Sequence, residues 1–586
     1  MFSPRRGPHG VVGYPKDNPL HPIMSATYLR SLLGSLSAFA LASLPVLAQG
    51  PGPGTPPPLQ PPPVPPQNQL TAAKTNLGRV LFWDEQLSSS KTIACGTCHV
   101  PTEGGSDPRT SLTGMSTRHP GPDNLFNTPD DSFGSPGVAH MAVNLDFVLD
   151  PRFRLGTQVT NRKAQPMHMA AYSPNLFWDG RASGNFVDPL TNNVIIPGGG
   201  ALESQSLGPI LSSVEMGHEG RTWADVTSRL TTSTPLRLSP QIPASISNYI
   251  NGRSYPQLFT EAFGSPDITP VRIAFALATY QRSLWTGQAP IDAFFGGQPG
   301  ALTAQELAGQ NVFTGPGRCA ICHAGNQFTN NTFRYIGVRP QNDDLGRFLV
   351  TNNPADRGSM KVPSLRNVEQ RGPYFHNGGK ATLEDVINFY NAGGDFNAPN
   401  KDPNIIPLGL SVQQRADLAA FLRRPLTDPR MVNGSGPFER PLLNSEANPG
   451  RLPVAFGTGT LSSQGFLPLI QATQPAFVGN DRFAVGIDRA TPGKTAGLLI
   501  SENPNFGGVP FNGTTIFLDL TQGFQLKRIP ALSGVNPGDG HGTVSFAIPN
   551  DPTRVGVPFY AQFIVLDNPQ PGVRFSATQA ISSLRF

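Results

Sequence analysis

Cys95-Gly96-Thr97-Cys98-His99 and Cys319-Ala320-Ile321-Cys322-His323 decide how this chain is read. Two thiols three positions apart can each add to a vinyl group of one haem, and the histidine that follows is placed to ligate the iron from the proximal side. The two copies consume all 4 cysteines of the 586-residue chain. A disulfide gives no reason for a histidine directly after each pair, and a Cys/His zinc site would require both pairs to converge on one metal. The chain is therefore read as carrying two covalently bound haems of the c type. Cys95, Cys98, Cys319 and Cys322 are the attachment points, and His99 and His323 the iron ligands.

The rest of the composition fits a loop-rich globular protein of several domains. Charged residues make up only 14%, against 63 glycines and 62 prolines. The net charge of +5 comes without a dense Lys/Arg block, which argues against a nucleic-acid partner. Residues 1–48 read as an export signal. From Met24, the expected start, an apolar run extends from Leu32 to Leu47 and ends Val46-Leu47-Ala48, a cleavage-type ending. The alternative is a membrane anchor, but the run is short for a bilayer span and is broken by Gly34 and Pro45. Cleavage leaves no integral membrane span and a periplasmic or exported protein, consistent with haem attachment outside the cytoplasm.

Residues 49–69 are a Pro-rich linker, expected to be extended and without a core. The fold class that follows is mainly α: two cytochrome c-like haem domains with long loops, plus a C-terminal all-β sandwich-like domain. The boundaries are 70–295 for the first haem domain, 296–435 for the second and 445–586 for the β domain. Helical spacing runs from an N-cap at Thr71 to Trp83, and helices are expected over 222–231, 256–263, 270–285, from a capping box at Thr303, from Leu383 to Tyr390 and from Ser411 to Leu422. Residues 101–160, rich in Gly, Pro, Asp, Ser and Asn, read as loops. After about 440 short apolar runs replace the helical period, as in Thr515-Ile-Phe-Leu-Asp-Leu and Tyr560-Ala-Gln-Phe-Ile-Val-Leu. The paired haem motifs imply a duplication, although no strong internal repeat is legible.

Several stretches between and around the haem motifs carry a resemblance. These are Leu77-Gly-Arg-Val-Leu-Phe82, Phe177-Trp-Asp-Gly-Arg-Ala182, Gln205 with Gly208-Pro209-Ile210 and Val214-Glu215-Met216, Pro363-Ser-Leu-Arg-Asn-Val368, and Arg371-Gly-Pro-Tyr-Phe-His-Asn-Gly378. Over roughly 70–425 the chain resembles the bacterial di-haem cytochrome c peroxidase/MauG family. The resemblance implies that the first haem meets hydrogen peroxide and the second stores or relays electrons, with Trp178 between them. It puts acid/base work on Glu215 with Gln205 as its hydrogen-bonding neighbour, and Pro209 at the haem edge. A carboxylic acid in a dry pocket suits proton movement during O–O cleavage. Without the resemblance, Glu215 reads as a solvated loop acid and Trp178 as a core aromatic.

The resemblance also puts Tyr390 where typical peroxidases carry a methionine ligand to the second iron and MauG-like members a tyrosine. Oxygen ligation lowers the potential that methionine raises. Three departures follow. An insertion, Ser183 to Gly200, is expected to reshape the pocket mouth. The inter-haem calcium would be held by the carbonyls of Arg371 and Pro373, but its asparagine position reads Lys163, with Asn161 two residues away. A distal histidine on the first haem would be His119 or His140, and no motif chooses between them. The expectation is a c-type peroxidase that reduces hydrogen peroxide with electrons from a small cytochrome c or cupredoxin. The alternatives are MauG-like oxidation of a protein substrate and a non-catalytic di-haem electron carrier.

Overall fold

The computed structural model describes residues 55–113, 115–447 and 451–586. The expected signal, 1–48, lies outside them. Among the described residues no helix is long and apolar enough to cross a membrane.

Each haem motif is preceded by a helix that crosses a second, later helix at a glycine. In the first half α1 (Ala72–Trp83), capped by Thr71 Oγ1 accepting from Lys74 N, crosses α3 (Pro270–Ser283). A Cβ on Gly78 would overlap the backbone of Ala276, so only glycine lets the helices approach this closely. One turn on, Phe82 meets Tyr280 at 5.3 Å between ring centroids. In the second half α4 (Ala304–Thr314), capped by the Thr303–Glu306 box, crosses α6 (Val412–Leu422). There a Cβ on Gly309 would overlap Asp417, and Phe313 meets Phe421, again at 5.3 Å. Two further helices carry residues that matter below: α2 (Ala201–Leu211) and α5 (Leu383–Ala392). Each half also holds a buried bidentate ion pair, Arg282–Glu203 in the first and Arg366–Asp292 in the second.

The region 101–160 is largely irregular, as expected, with short two-stranded ladders pairing Arg118–His119 to Ser132–Phe133 and Pro136–Ala139 to Thr157–Val159. The linker behaves differently from expectation. Of its described part, Leu59, Pro62, Pro65 and Asn68 are buried. Leu59 N donates to Asp292 Oδ1 at 3.0 Å, and Asn68 Nδ2 donates to Glu203 Oε1 at 2.9 Å. An apolar side chain and two satisfied polar groups are enough to dock an otherwise solvated proline run.

The C-terminal strands are β1 (Val454–Phe456), β2 (Leu469–Gln471), β3 (Phe483–Ala490), β4 (Ala496–Ser501), β5 (Pro504–Phe511), β6 (Thr514–Leu518), β7 (Gln525–Ile529), β8 (Gly540–Phe546), β9 (Pro558–Gln570) and β10 (Val573–Leu584). They form a five-stranded sheet, β7-β4-β9-β10-β1, a three-stranded sheet, β2-β3-β8, and the hairpin β5-β6. Phe483, Val485 and Ile487 of β3 join Leu498, Phe563 and Val565 of the larger sheet in one core. The intervening Ala484 belongs instead to the core of the first haem half. The period of two along one strand thus glues the sandwich to the haem region. Around this seam Arg154 pairs with Asp488 at 2.8 Å and Arg482 with Asp146 at 2.6 Å.

Candidate haem cavities and the wall between them

Cys95–Cys98 form a single helical turn whose Gly96 packs flat on Trp83; a Cβ there would overlap the indole. His99 follows at the turn's end, and its Nδ1 lies 3.2 Å from the carbonyl of Gly105. In the second motif His323 Nδ1 lies 3.1 Å from the carbonyl of Phe328. A donor Nδ1–H fixed on a carbonyl sets the tautomer and leaves Nε2 for a metal, the usual arrangement of an iron-ligating imidazole. Burial lowers both imidazoles from their ordinary value, His323 to about 4, so both are neutral and ready to ligate. All four cysteines are free and half-buried, and burial pushes the Cys95 and Cys319 thiols up to about 12. They stand as neutral thiols, the form that adds to a vinyl group and gives a thioether.

Each motif opens on its own cavity. The first, about 600 Å³, is lined by Cys95, Cys98 and His99 together with Gln205, Pro209, Glu215 and Trp178. Gln205 and Pro209, four apart, share one face of α2. Glu215 sits in the turn that follows, its N–H donating to Ser212 O at 3.2 Å. Burial raises the Glu215 carboxyl, against smaller lowering by a Ser212 hydrogen bond and by Arg181. The sequence thus named residues from four separate stretches that do face one cavity. The Gly208-Pro209 pair hid α2, because Pro209 stands in its last turn, where the missing N–H costs one bond to Gln205 O.

The second cavity, about 190 Å³, is lined by Cys319, Cys322, His323 and Tyr390. Tyr390 lies near the end of α5 beside Phe375 and Phe389, with ring centroids at 6.2 and 5.1 Å. Burial raises its phenol, and the next influences on it are the Cys319 and Cys322 sulfurs, so it stands close to the attachment point.

Trp178 lines both cavities. Its indole Nε1–H donates to Lys163 O at 2.8 Å, its carbonyl accepts from Lys361 N at 2.7 Å, and its ring meets His376 edge-on at 6.2 Å. Arg162 braces the loop by bonding Asp179 from one side and Asp344 from the other, at 2.7 and 2.6 Å. Trp178 and His376 occupy matching places in two loops of one design. Phe177 and Phe375 have φ of 66° and 68°, Gly180 and Gly378 have φ of 73° and 65°, and the loops are closed by the bridges Leu176–Ala182 and Tyr374–Lys380.

One expectation is corrected. The insertion 183–200 forms a hairpin, Asn185–Val187 with Val194–Pro197, whose Phe186 and Ile196 are buried in the core; it lines neither cavity. His119 lines the first cavity beside Arg152 and Phe153, whereas His140 lines neither. The expected calcium residues are divided between the two cavity linings. Asn161 is exposed and lines only the first cavity, while Arg371 and Pro373 line only the second. Lys163, which is buried, lines both. Among the described residues no group of three or more His, Cys, Asp or Glu could hold a metal ion. Residues missed by sequence reading are Lys163 and Lys361 as cavity walls and His376 as the partner of Trp178. A lysine in Asn161-Arg162-Lys163 carries no signal that separates it from a solvated face.

Comparison with known proteins agrees with this geometry. A family model described as di-haem cytochrome c peroxidase matches residues 72–300. Cytochrome c551 peroxidase of Nitrosomonas europaea is 30% identical over 320 residues, covering 54% of this chain and 72% of that one. The chain belongs to the di-haem cytochrome c peroxidase/MauG family. Methylamine utilization protein MauG of Methylorubrum extorquens is 29% identical over 372 residues, 63% of this chain and 83% of that one. Cytochrome-c peroxidase IdrP1 of Denitromonas iodatirespirans is 29% identical over 406 residues, 64% and 86% of the two chains. As a member of this family the protein is a haem peroxidase, an oxidoreductase with two c-type haems. The donor set fits that cofactor twice over, with neutral thiols in pairs and a tautomer-locked imidazole beside each pair.

Proposed function

We propose that this peroxidase reduces hydrogen peroxide in the first cavity and draws the electrons through the second, outside the cytoplasm, from a small cytochrome c or cupredoxin. The haem tethered at Cys95 and Cys98 supplies, when bound, the iron at which the O–O bond breaks. The chain's own part is proton handling and positioning. Glu215 takes a proton from the nearer peroxide oxygen and returns it to the departing one, as a general acid–base group with a raised pKa can. Gln205 orients the peroxide by hydrogen bonding. Trp178 holds the conducting position between the cavities, fixed by one backbone bond on either side.

The observation that carries this reading is the convergence of His99, Gln205, Glu215 and Trp178 on one cavity. Steady-state peroxide turnover tests it. Glu215→Gln is expected to lower kcat/KM by about 10²–10⁴-fold, the range for losing a general acid–base. Burial lets Glu215 keep its proton to higher pH than an exposed glutamate, so the acid limb of the wild-type profile should lie above the ordinary carboxylate range, and the variant should lack it. Turnover within threefold of wild type would remove Glu215 from the mechanism. Tyr390 in the second cavity favours one further reading. If its oxygen ligates the second iron, the low potential would let the pair store oxidising equivalents and pass them to a protein substrate, as MauG-like chemistry requires.

A further inference from the structure

The wall between the cavities carries three buried cationic side chains with no carboxylate partner among the described residues. Lys163 and Lys361 line both cavities and Arg371 the second. Lys163 Nζ donates to Ser106 Oγ, itself a donor to Ala164 O at 3.0 Å. Lys361 Nζ donates to Ser173 Oγ and Asn175 O at 3.1 and 3.2 Å. Arg371 Nη2 donates to Ser364 O at 2.5 Å, while its Nη1 has no partner. Other buried cations in this chain either face a carboxylate, as Arg282 does Glu203 and Arg366 does Asp292, or spread their donors over several backbone carbonyls, as Arg221 does. A buried charge without a close partner is unfavourable, and on this wall the polypeptide supplies only Asp107 and Glu103, beyond ion-pair distance of Lys163, so the three groups together favour added anions there. A c-type haem brings two carboxylates on one edge of its ring, and this protein holds two such haems.

We propose that Lys163, with Lys361 and Arg371, is the counter-charge for haem carboxylates at this wall, and that Lys163 stands in place of a divalent cation between the haems. The ammonium excludes calcium both by repulsion and by taking its place next to Arg371, and the carboxamide that would have to coordinate calcium, Asn161, is exposed on the other side. The same two lysines hold Trp178 through their backbones, so charge compensation and the conducting ring are built on shared residues.

The proposal rests on both cavities holding haem, which the pyridine haemochrome count measures independently. The holoprotein is dialysed against EGTA and assayed for haem, for calcium by elemental analysis, and for both midpoint potentials. Wild type is expected to hold two haems and no stoichiometric calcium, with potentials unmoved by EGTA or added calcium. Lys163→Asn is expected to gain about one calcium per chain and to become EGTA-sensitive, whereas Lys163→Arg should stay calcium-independent. Lys163→Gln should lower both potentials, because removing a nearby positive charge favours the ferric state. Two haems with one calcium retained by wild type, or potentials unchanged in Lys163→Gln, overturn the proposal alone. Fewer than two haems overturn the di-haem reading and the proposal with it.

Discussion

The two haem halves share a scaffold and differ in what faces the iron. Both have a Gly-x-x-x-Phe helix crossing a later helix, a C-x-x-C-H turn, an imidazole Nδ1 locked on a nearby carbonyl, and a seven-residue loop with left-handed Phe and Gly. The half that holds Glu215 and Gln205 encloses about 600 Å³, and the half that holds Tyr390 about 190 Å³. On the proposed reading the shared scaffold sets where haem is held, while the distal side chains divide the labour. A roomy cavity with a buried acid can admit and protonate a small oxidant. On the proposed reading the phenol of the other holds or passes an electron.

The most severe way to break this comparison is to remove one tether at a time. Cys95→Ala/Cys98→Ala and Cys319→Ala/Cys322→Ala should each leave one haem per chain by pyridine haemochrome. The first should abolish peroxide turnover. The second should stop steady-state turnover while leaving a single encounter with peroxide visible in stopped flow. Equal behaviour of the two variants would contradict the division of labour. A finer test exchanges the distal group of the second half. Tyr390→Met is expected to raise the midpoint potential of the second haem, since thioether ligation favours the ferrous state. The first haem should be unmoved. An unchanged second potential would show that Tyr390 does not reach that iron.

Glu85 has no counterpart in the second half and ties the first to the chain leading into the sandwich. Its carboxylate accepts from Asn444 N and Ser445 N at 2.6 and 3.2 Å, yet burial dominates and raises it from 4.5 to about 7. The folded state therefore binds this proton more tightly than the unfolded one. Its contribution is fully present below pH 4.5 and is lost as pH rises through about 7, an upper bound of about 3 kcal/mol for the shift. Chemical denaturation from pH 4.5 to 8 should show this loss in wild type and a flatter profile in Glu85→Gln. A wild-type profile as flat as the variant's would show that Glu85 is not protonated in the fold.

Much of this was legible because it rests on chemistry with a fixed spacing. Thr71 and Thr303 cap the helices they were expected to cap, and the haem turns are where Cys-x-x-Cys-His puts them. The β runs were visible as short apolar stretches between turn residues, but not that β3 buries both its faces, because Ala484 on the outward side reads as neutral. The repeated loop escaped because its geometry needs only Phe and Gly at left-handed positions, two residues in seven, with Trp178 and His376 free to differ. Lys163 escaped for a different reason. A lysine's burial is decided by what surrounds it, and its neighbours come from Ser106, Ala164 and Arg371, which no local pattern unites.

The smallest test asks whether the two scaffolds are as alike energetically as they are geometrically. Gly78→Ala and Gly309→Ala each force a methyl group into the backbone of the crossing helix, at Ala276 and Asp417 respectively. Backbone cannot rotate away as a side chain can, so each pair of helices must separate, for about 1–3 kcal/mol of overpacking that the better helix propensity of alanine only partly offsets. Both variants should unfold at lower denaturant concentration, and by similar amounts if the crossings are equivalent. The spectral consequences should be local. Gly78→Ala should disturb the His99 haem, because Phe82 on the same helix lies 6.5 Å from the His99 ring. Gly309→Ala should disturb the His323 haem through Phe313, which packs on Phe328, the residue whose carbonyl holds His323. If either variant perturbed both haems equally, the coupling would run through the shared wall at Trp178, and the halves would be one cooperative unit instead of two copies.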